Sequence, residues 1–337
     1  MENIRTKIEY TERIVNPLNH RNVLIDRTGV TGYTVNMKKL TFGIVVFLSF
    51  TGMIFGQSDT VQKSKKAEPK YICITFDDLP VVRVHDHFDR MVITDELLGA
   101  LAEFNVKAGG FVIGNNIHDH FDLLEQWLKA GHTLGSHTYS HPDLNDIPVK
   151  LYIQDIEKGH EIIEPLLATY KQKNRYFRYP LLHQGDTFTK KDAVEKYLEG
   201  NKLINVPVSV DNDEYIYNLQ FEKLFETVDS TKMAQLGYEY IEHMIAELEE
   251  AEGLAEKVLG RPINHVLLLH ANQLNAFFLN DLLQAISDNG YDFISLDKAL
   301  SDPIYTMEEA YVGHKGLSII ERLVKSDPDL MPAREGK

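Results

Sequence analysis

From Tyr71 onward the chain alternates short β-rich runs with longer stretches of helical period. The runs at 71–76, 108–113, 133–136, 176–178, 204–210, 265–269 and 292–295 read as strands. The amphipathic stretches between them carry start and stop signals. Thr94 stands ahead of Asp95 and Glu96, carboxylates that favour the positive end of a helix dipole. Gly131 follows 123–130, Thr189 precedes 190–201, and Gly290 closes 282–289. A long acidic helix begins near Ser230 and ends at Gly260. Strand and helix in regular alternation predict a parallel sheet with crossover helices. The fold expected is α/β: a single deformed (β/α) barrel of about seven parallel strands over 71–300, with an open doubly wound sheet as its competitor.

The segments outside that span are of different character. Met37-Lys38-Lys39, an apolar run over 40–55 and Gly56 form a signal-peptide pattern at 37–56. The run is short against the roughly 20 apolar residues that cross a bilayer core. This predicts a mature chain starting near Gln57, residues 1–36 as an upstream extension with no folded role, and export to periplasm or medium. No stable membrane anchor is expected once the leader is removed. Residues 57–70 are polar and read as a linker, and 301–337, with three prolines and two glycines up to Pro332, read as a C-terminal tail, wrapped on the domain or partly disordered.

Composition removes some classes. The chain has 337 residues and a net charge of −15, which disfavours a nucleic-acid partner because phosphate binding needs a basic stripe. The one cysteine, Cys73, permits no intrachain disulfide and sits in the 71–76 run as a small core hydrophobe.

The polar residues at the strand ends carry the chemistry. Asp77-Asp78 end the first strand, His137 and His141 follow the third, Arg178 closes the fourth, Asp211 follows the fifth and His270 the sixth. In a parallel barrel all carboxyl ends meet on one face, so these scattered residues converge. Asp77-Asp78 before Pro80 also suits a simple turn. Adjacent carboxylates repel unless a cation compensates, and two histidines near a carboxylate favour a metal. Two imidazoles and one carboxylate leave coordination positions open for water or substrate.

These residues resemble the polysaccharide deacetylases of the NodB-homology type, carbohydrate esterase family 4. Thr75-Phe76-Asp77-Asp78 looks like the first motif and His137 through His141 like the second. Phe177-Arg178-Tyr179-Pro180 looks like the third, 210–215 the fourth, and Leu268-Leu269-His270 the fifth. The resemblance implies a NodB-type barrel and removal of N- or O-acetyl groups from an acetylated poly- or oligosaccharide. It implies Asp77 as general base, Asp78, His137 and His141 as ligands of a divalent metal, and Arg178 as partner of Asp77. Zn²⁺ is the first expectation, with Co²⁺ or another divalent ion as alternatives. Leu181, following Pro180, would offer its backbone N–H to the oxyanion, and His270 would act as general acid. The fourth motif departs from the family pattern in ending on Glu214-Tyr215, so Asp211, Asp213 and Glu214 remain candidates for the carboxylate that tunes His270. Leu181 stands where tyrosine is common, which bears on the groove wall.

Other readings are set beside this one. The same fold could hydrolyse a small cyclic amide or ureide, or serve as a non-catalytic sugar-binding module. His85, His87, His118 and His120 read as rim histidines, His132 as structural, Trp127 as core, and the acidic run 247–256 as a solvated helix face. The stretch 271–276 is more polar than core packing needs and reads as lining the site.

Overall fold

The computed structural model describes residues 69–117 and 120–330. The expected extension, leader and almost all of the linker, with His118, lie outside the described residues. Within them, no helix is long and apolar enough to cross a membrane.

Seven parallel strands form one sheet: β1 (Lys70–Leu79), β2 (Gly109–Val112), β3 (Thr133–Ser136), β4 (Arg175–Phe177), β5 (Leu203–Asn205), β6 (Asn264–His270) and β7 (Tyr291–Phe293). Their order is β5-β4-β3-β2-β1-β6, and β7 pairs with the start of β1. Every pair is parallel. The helices that return the chain are α1 (His87–Glu103), α2 (Phe121–Lys129), α3 (Val149–Thr169), α4 (Phe188–Gly200), α5 (Glu214–Glu226), α6 (Ser230–Leu259), α7 (Gln273–Asp288), α8 (Leu296–Ala299) and α9 (Ile319–Ser326).

The sheet curls because one segment serves both of its edges. Val206 N–H donates to the Phe177 carbonyl at 2.8 Å, continuing β5 along β4. Three residues on, Ser209 and Val210 donate to Val266, and Leu268 donates back to Val210. The run expected as one strand over 204–210 therefore lies first on β4 and then on β6, drawing the edges together. The barrel is the architecture that results.

Alternation along β1 sorts its side chains. Ile72, Ile74 and Phe76 are fully buried in the cluster shared with α1, α2, α6 and α7. Burial of each such side chain contributes about 1.5–3 kcal/mol. Cys73 and Thr75 point to the other face, where Phe111, Tyr176, Val206, Val208 and Val266 fill the interior with Cys73. Asp77 inherits that interior face at the carboxyl end of the strand. Trp127 is buried with its ring 5.3 Å from that of Phe76, and His132 accepts a hydrogen bond from Ala108 N–H. Both are structural, as their sequence context suggested.

Residues 301–330 are part of the packed domain. Ile304, Leu317, Ile319, Ile320 and Leu323 are buried, the last three against Ala255 and Val258 of α6. Asp302 receives Arg261 through both carboxylate oxygens, and Ser318 with Glu321 forms a capping box on α9. The apolar face of α9 is only two turns long, too short to stand out between prolines and glycines. In the acidic run of α6, Glu249, Glu250 and Glu256 are exposed, and Glu247 and Glu250 also line the central pocket.

Candidate active site

The carboxyl ends of β1, β3, β4 and β6 surround a pocket of about 520 Å³. Asp77, Asp78, His137, His141, Leu181, Asp211 and His270 all line it. Register explains part of this: Asp77 stands opposite His270 between β1 and β6, and Ser136, just before His137, stands opposite Phe177, just before Arg178.

Asp77 is 3% exposed and accepts from Arg178 Nη1 at 2.6 Å. The same nitrogen reaches Thr75 Oγ1 at 2.9 Å, Nε donates to the Val206 carbonyl, and the guanidinium stacks 4.0 Å from the Phe111 ring centroid. The guanidinium is thus held on several sides and gives a buried carboxylate a charge-assisted hydrogen bond.

Asp78 adopts a left-handed backbone, φ 62°, which turns its side chain out of the strand pattern toward the two imidazoles. His137 Nε2 lies 3.5 Å and His141 Nε2 3.4 Å from Asp78 Oδ1. That oxygen is buried and takes no hydrogen bond. His137 Nδ1 lies 2.9 Å from the Arg178 carbonyl, so it is assigned as the N–H donor and Nε2 as the free lone pair. Burial, against the pull of Asp77, pushes His137 below its ordinary pKa and favours the neutral, ligating ring. Thr138 and His141 also have positive φ, 68° and 57°. Such conformations cost about 1–3 kcal/mol each and persist where the surroundings fix them. Asp155 on α3 does so: its Oδ1 accepts from Tyr139 and Ser140 N–H at 2.9 and 2.8 Å. Asp78, His137 and His141 present donor atoms within 4.8 Å of one another. An orphaned carboxylate oxygen between two imidazole nitrogens is a donor set that fits a divalent ion with open positions.

Across the pocket, His270 Nδ1 bonds Glu214 Oε2 at 2.8 Å. Burial alone would lower His270, but the Glu214 hydrogen bond and charge, with Asp78 and Asp77 behind them, raise it to about 9. Of the three carboxylates left open by the sequence, only Glu214 makes this contact. Asp211 lies on the pocket wall, bonded to Asn212 N–H, and burial pushes its carboxyl up to about 6. Asp213 is the exposed residue just before α5. Glu214 opens α5 and is 1% exposed.

Pro180 begins a tight 3-10 turn, Pro180–Leu182, in which Leu181 has φ 56° and is 53% exposed at the pocket. Gly316 presses on this turn: a Cβ there would stand 2.1 Å from the Leu181 carbonyl oxygen. Lys315, Gly316, Ser318 and Glu321 form the facing wall. Sequence reasoning overlooked Asp155 and the C-terminal wall, whose contacts arise only in the fold. Asn272 and Asn275, within the polar stretch after His270, both bond Glu214. His85, His87 and His120 are not among the pocket-lining residues, and His87 and His120 stack on each other, 4.8 Å between ring centroids.

Known proteins resemble part of this chain. Residues 64–197 match the polysaccharide deacetylase family model. A chitin deacetylase of Arthroderma benhamiae is 32% identical over 152 residues, 42% of this chain and 38% of that protein. A peptidoglycan-N-acetylglucosamine deacetylase of Bacillus cereus is 33% identical over 102 residues, 30% of this chain and 34% of the relative. The chain thus spans well under half the length of these curated relatives. Among solved structures, the peptidoglycan deacetylase PdaC of Bacillus subtilis superposes with a TM-score of 0.45 at 18% identity, covering 68% of this chain and 90% of that one. The family match over 64–197 and the five ordered motifs, set around one pocket, show that this part of the chain is similar to the polysaccharide deacetylases.

Proposed function

We propose that the protein is an exported, divalent-metal-dependent hydrolase that removes N-acetyl groups from an acetylated poly- or oligosaccharide. The observation that carries this is the convergence of three groups on one pocket: the Asp78–His137–His141 donors, the Arg178-paired Asp77 and the Glu214-paired His270. Relatives named for chitin, chitooligosaccharide and peptidoglycan deacetylation support that substrate class.

Asp78, His137 and His141 would hold the ion, Zn²⁺ being the first candidate for two imidazoles and a carboxylate. When bound, it would supply Lewis-acid polarisation of the acetyl carbonyl and acidify water. Asp77, held by Arg178, takes the proton of the attacking water. Leu181, half exposed on the pocket lining, would offer its backbone N–H to the developing oxyanion. His270 gives its proton to the departing nitrogen as the C–N bond breaks, and Glu214 stabilises the imidazolium until then. The products are acetate and a free amine.

The test is acetate release from a panel of N- and O-acetylated glycans, before and after chelation and after Zn²⁺ or Co²⁺ is returned. Release from at least one N-acetylated glycan, lost on chelation and restored by metal, is expected. No release from any glycan, unchanged by added metal, would sink the proposal. Export is supported by the basic, apolar and small-residue segment at 37–56. N-terminal sequencing of the secreted form should begin near Gln57, and an intact Met1 would refute that start.

A further inference from the structure

Glu214 is 1% exposed, and among the described residues no lysine or arginine bridges to it. A polar group so buried is costly unless its oxygens are hydrogen-bonded. Its Oε2 serves His270, while Oε1 accepts from the side-chain amides of Asn272 and Asn275, the latter at 2.7 Å. Both asparagines are essentially inaccessible to solvent, and neither amide can turn over without losing a partner. Asn272 Oδ1 caps α7 by accepting from Asn275 N–H at 2.9 Å. Asn275 Oδ1 accepts from the hydroxyl of Tyr240, a fully buried residue of α6, at 2.6 Å. The oxygens are therefore committed, and both nitrogens face Glu214. Asn275 Nδ2 also donates to the His270 carbonyl at 2.9 Å.

We infer that Asn275, oriented by Tyr240, is a positioning residue for the proton donor His270. It holds Glu214 in place as the acceptor at Nδ1 and grips the His270 backbone, which leaves Nε2 as the nitrogen that serves the leaving group. The inference rests on the reading of His270 as the general acid, and the experiment separates the two.

Proton donation matters for a poor leaving group such as an amine and little for nitrophenolate, which departs as the anion. Wild type, Asn275→Leu and Tyr240→Phe are therefore compared in the metal-loaded enzyme on a fully N-acetylated chitooligosaccharide and on 4-nitrophenyl acetate. A positioned acid contributes about 10²–10⁴-fold, so partial misplacement in Asn275→Leu should lower kcat on the amide roughly tenfold with KM little changed. Hydrolysis of 4-nitrophenyl acetate should stay near wild type. Tyr240→Phe, which removes a single oxygen and keeps the core shape, should show the same selective loss to a smaller degree. The His270 Nδ1–H proton, followed by NMR in ¹⁵N-histidine protein, should be protected in wild type and weakened in both variants. Parallel loss on both substrates, no loss in either variant, or an unchanged Nδ1–H signal would overturn the inference. Wild type inactive on both substrates would instead refute the deacetylase reading, and the NMR signal would still decide the network.

Discussion

Alternation along β1 turns Asp77 toward Arg178, while the positive φ of Asp78 sends the next carboxylate to the two imidazoles. Adjacent residues of one type thus acquire separate tasks from their surroundings. The same holds for His270, whose raised pKa comes largely from Glu214 acting against burial. Glu214→Gln removes that support, so the pH above which the acid form is lost should fall from about 9 toward or below the ordinary 6.5. A pH–rate profile for acetate release checks this, and an unmoved alkaline limb would show that Glu214 does not tune the acid. The pair also links to stability with a definite sign: its contribution is full below about 6.5 and fades as pH rises through about 9. Asp77, Asp78, His137, His141, Arg178 and His270 were legible because each ends or follows a strand. Glu214 was one of three candidates, since only the start of α5 decides which carboxylate faces inward.

At the scale of elements, α3 and the loop after β3 form one unit. Gly159 lets the helix approach so closely that a Cβ would stand 2.3 Å from the Thr138 carbonyl carbon. Asp155, one turn earlier, bonds the Tyr139 and Ser140 N–H groups and the Ser140 hydroxyl. The helix therefore fixes the strained turn that carries His141. Outer supports of this kind affect metal affinity by about 10–100-fold. Asp155→Ala should weaken Zn²⁺ binding on that scale in a competition titration while all three ligands remain. Wild-type affinity in that variant would remove α3 from the account. Nothing in the sequence singled out Asp155, because an aspartate on an amphipathic helix reads as solvated until its loop is seen. The strands, by contrast, were legible from short β-rich runs between helical periods, to within a few residues.

Over the whole molecule, one segment stitching β4 to β6 and one C-terminal segment complete the pocket. The barrel was legible from the alternation of elements, and the convergence of polar strand ends followed from its geometry. The C-terminal wall was not, because its packing depends on α6 and on the close approach of Gly316 to Leu181. The central claim is that these parts make a hydrolytic centre in which Asp77 moves the proton of water and Asp78 with the histidines holds the ion. The most direct measurement is acetate release by Asp77→Asn at matched metal content. Metal bound as in wild type and acetate release lost is the result expected. Release at the wild-type rate would contradict the account.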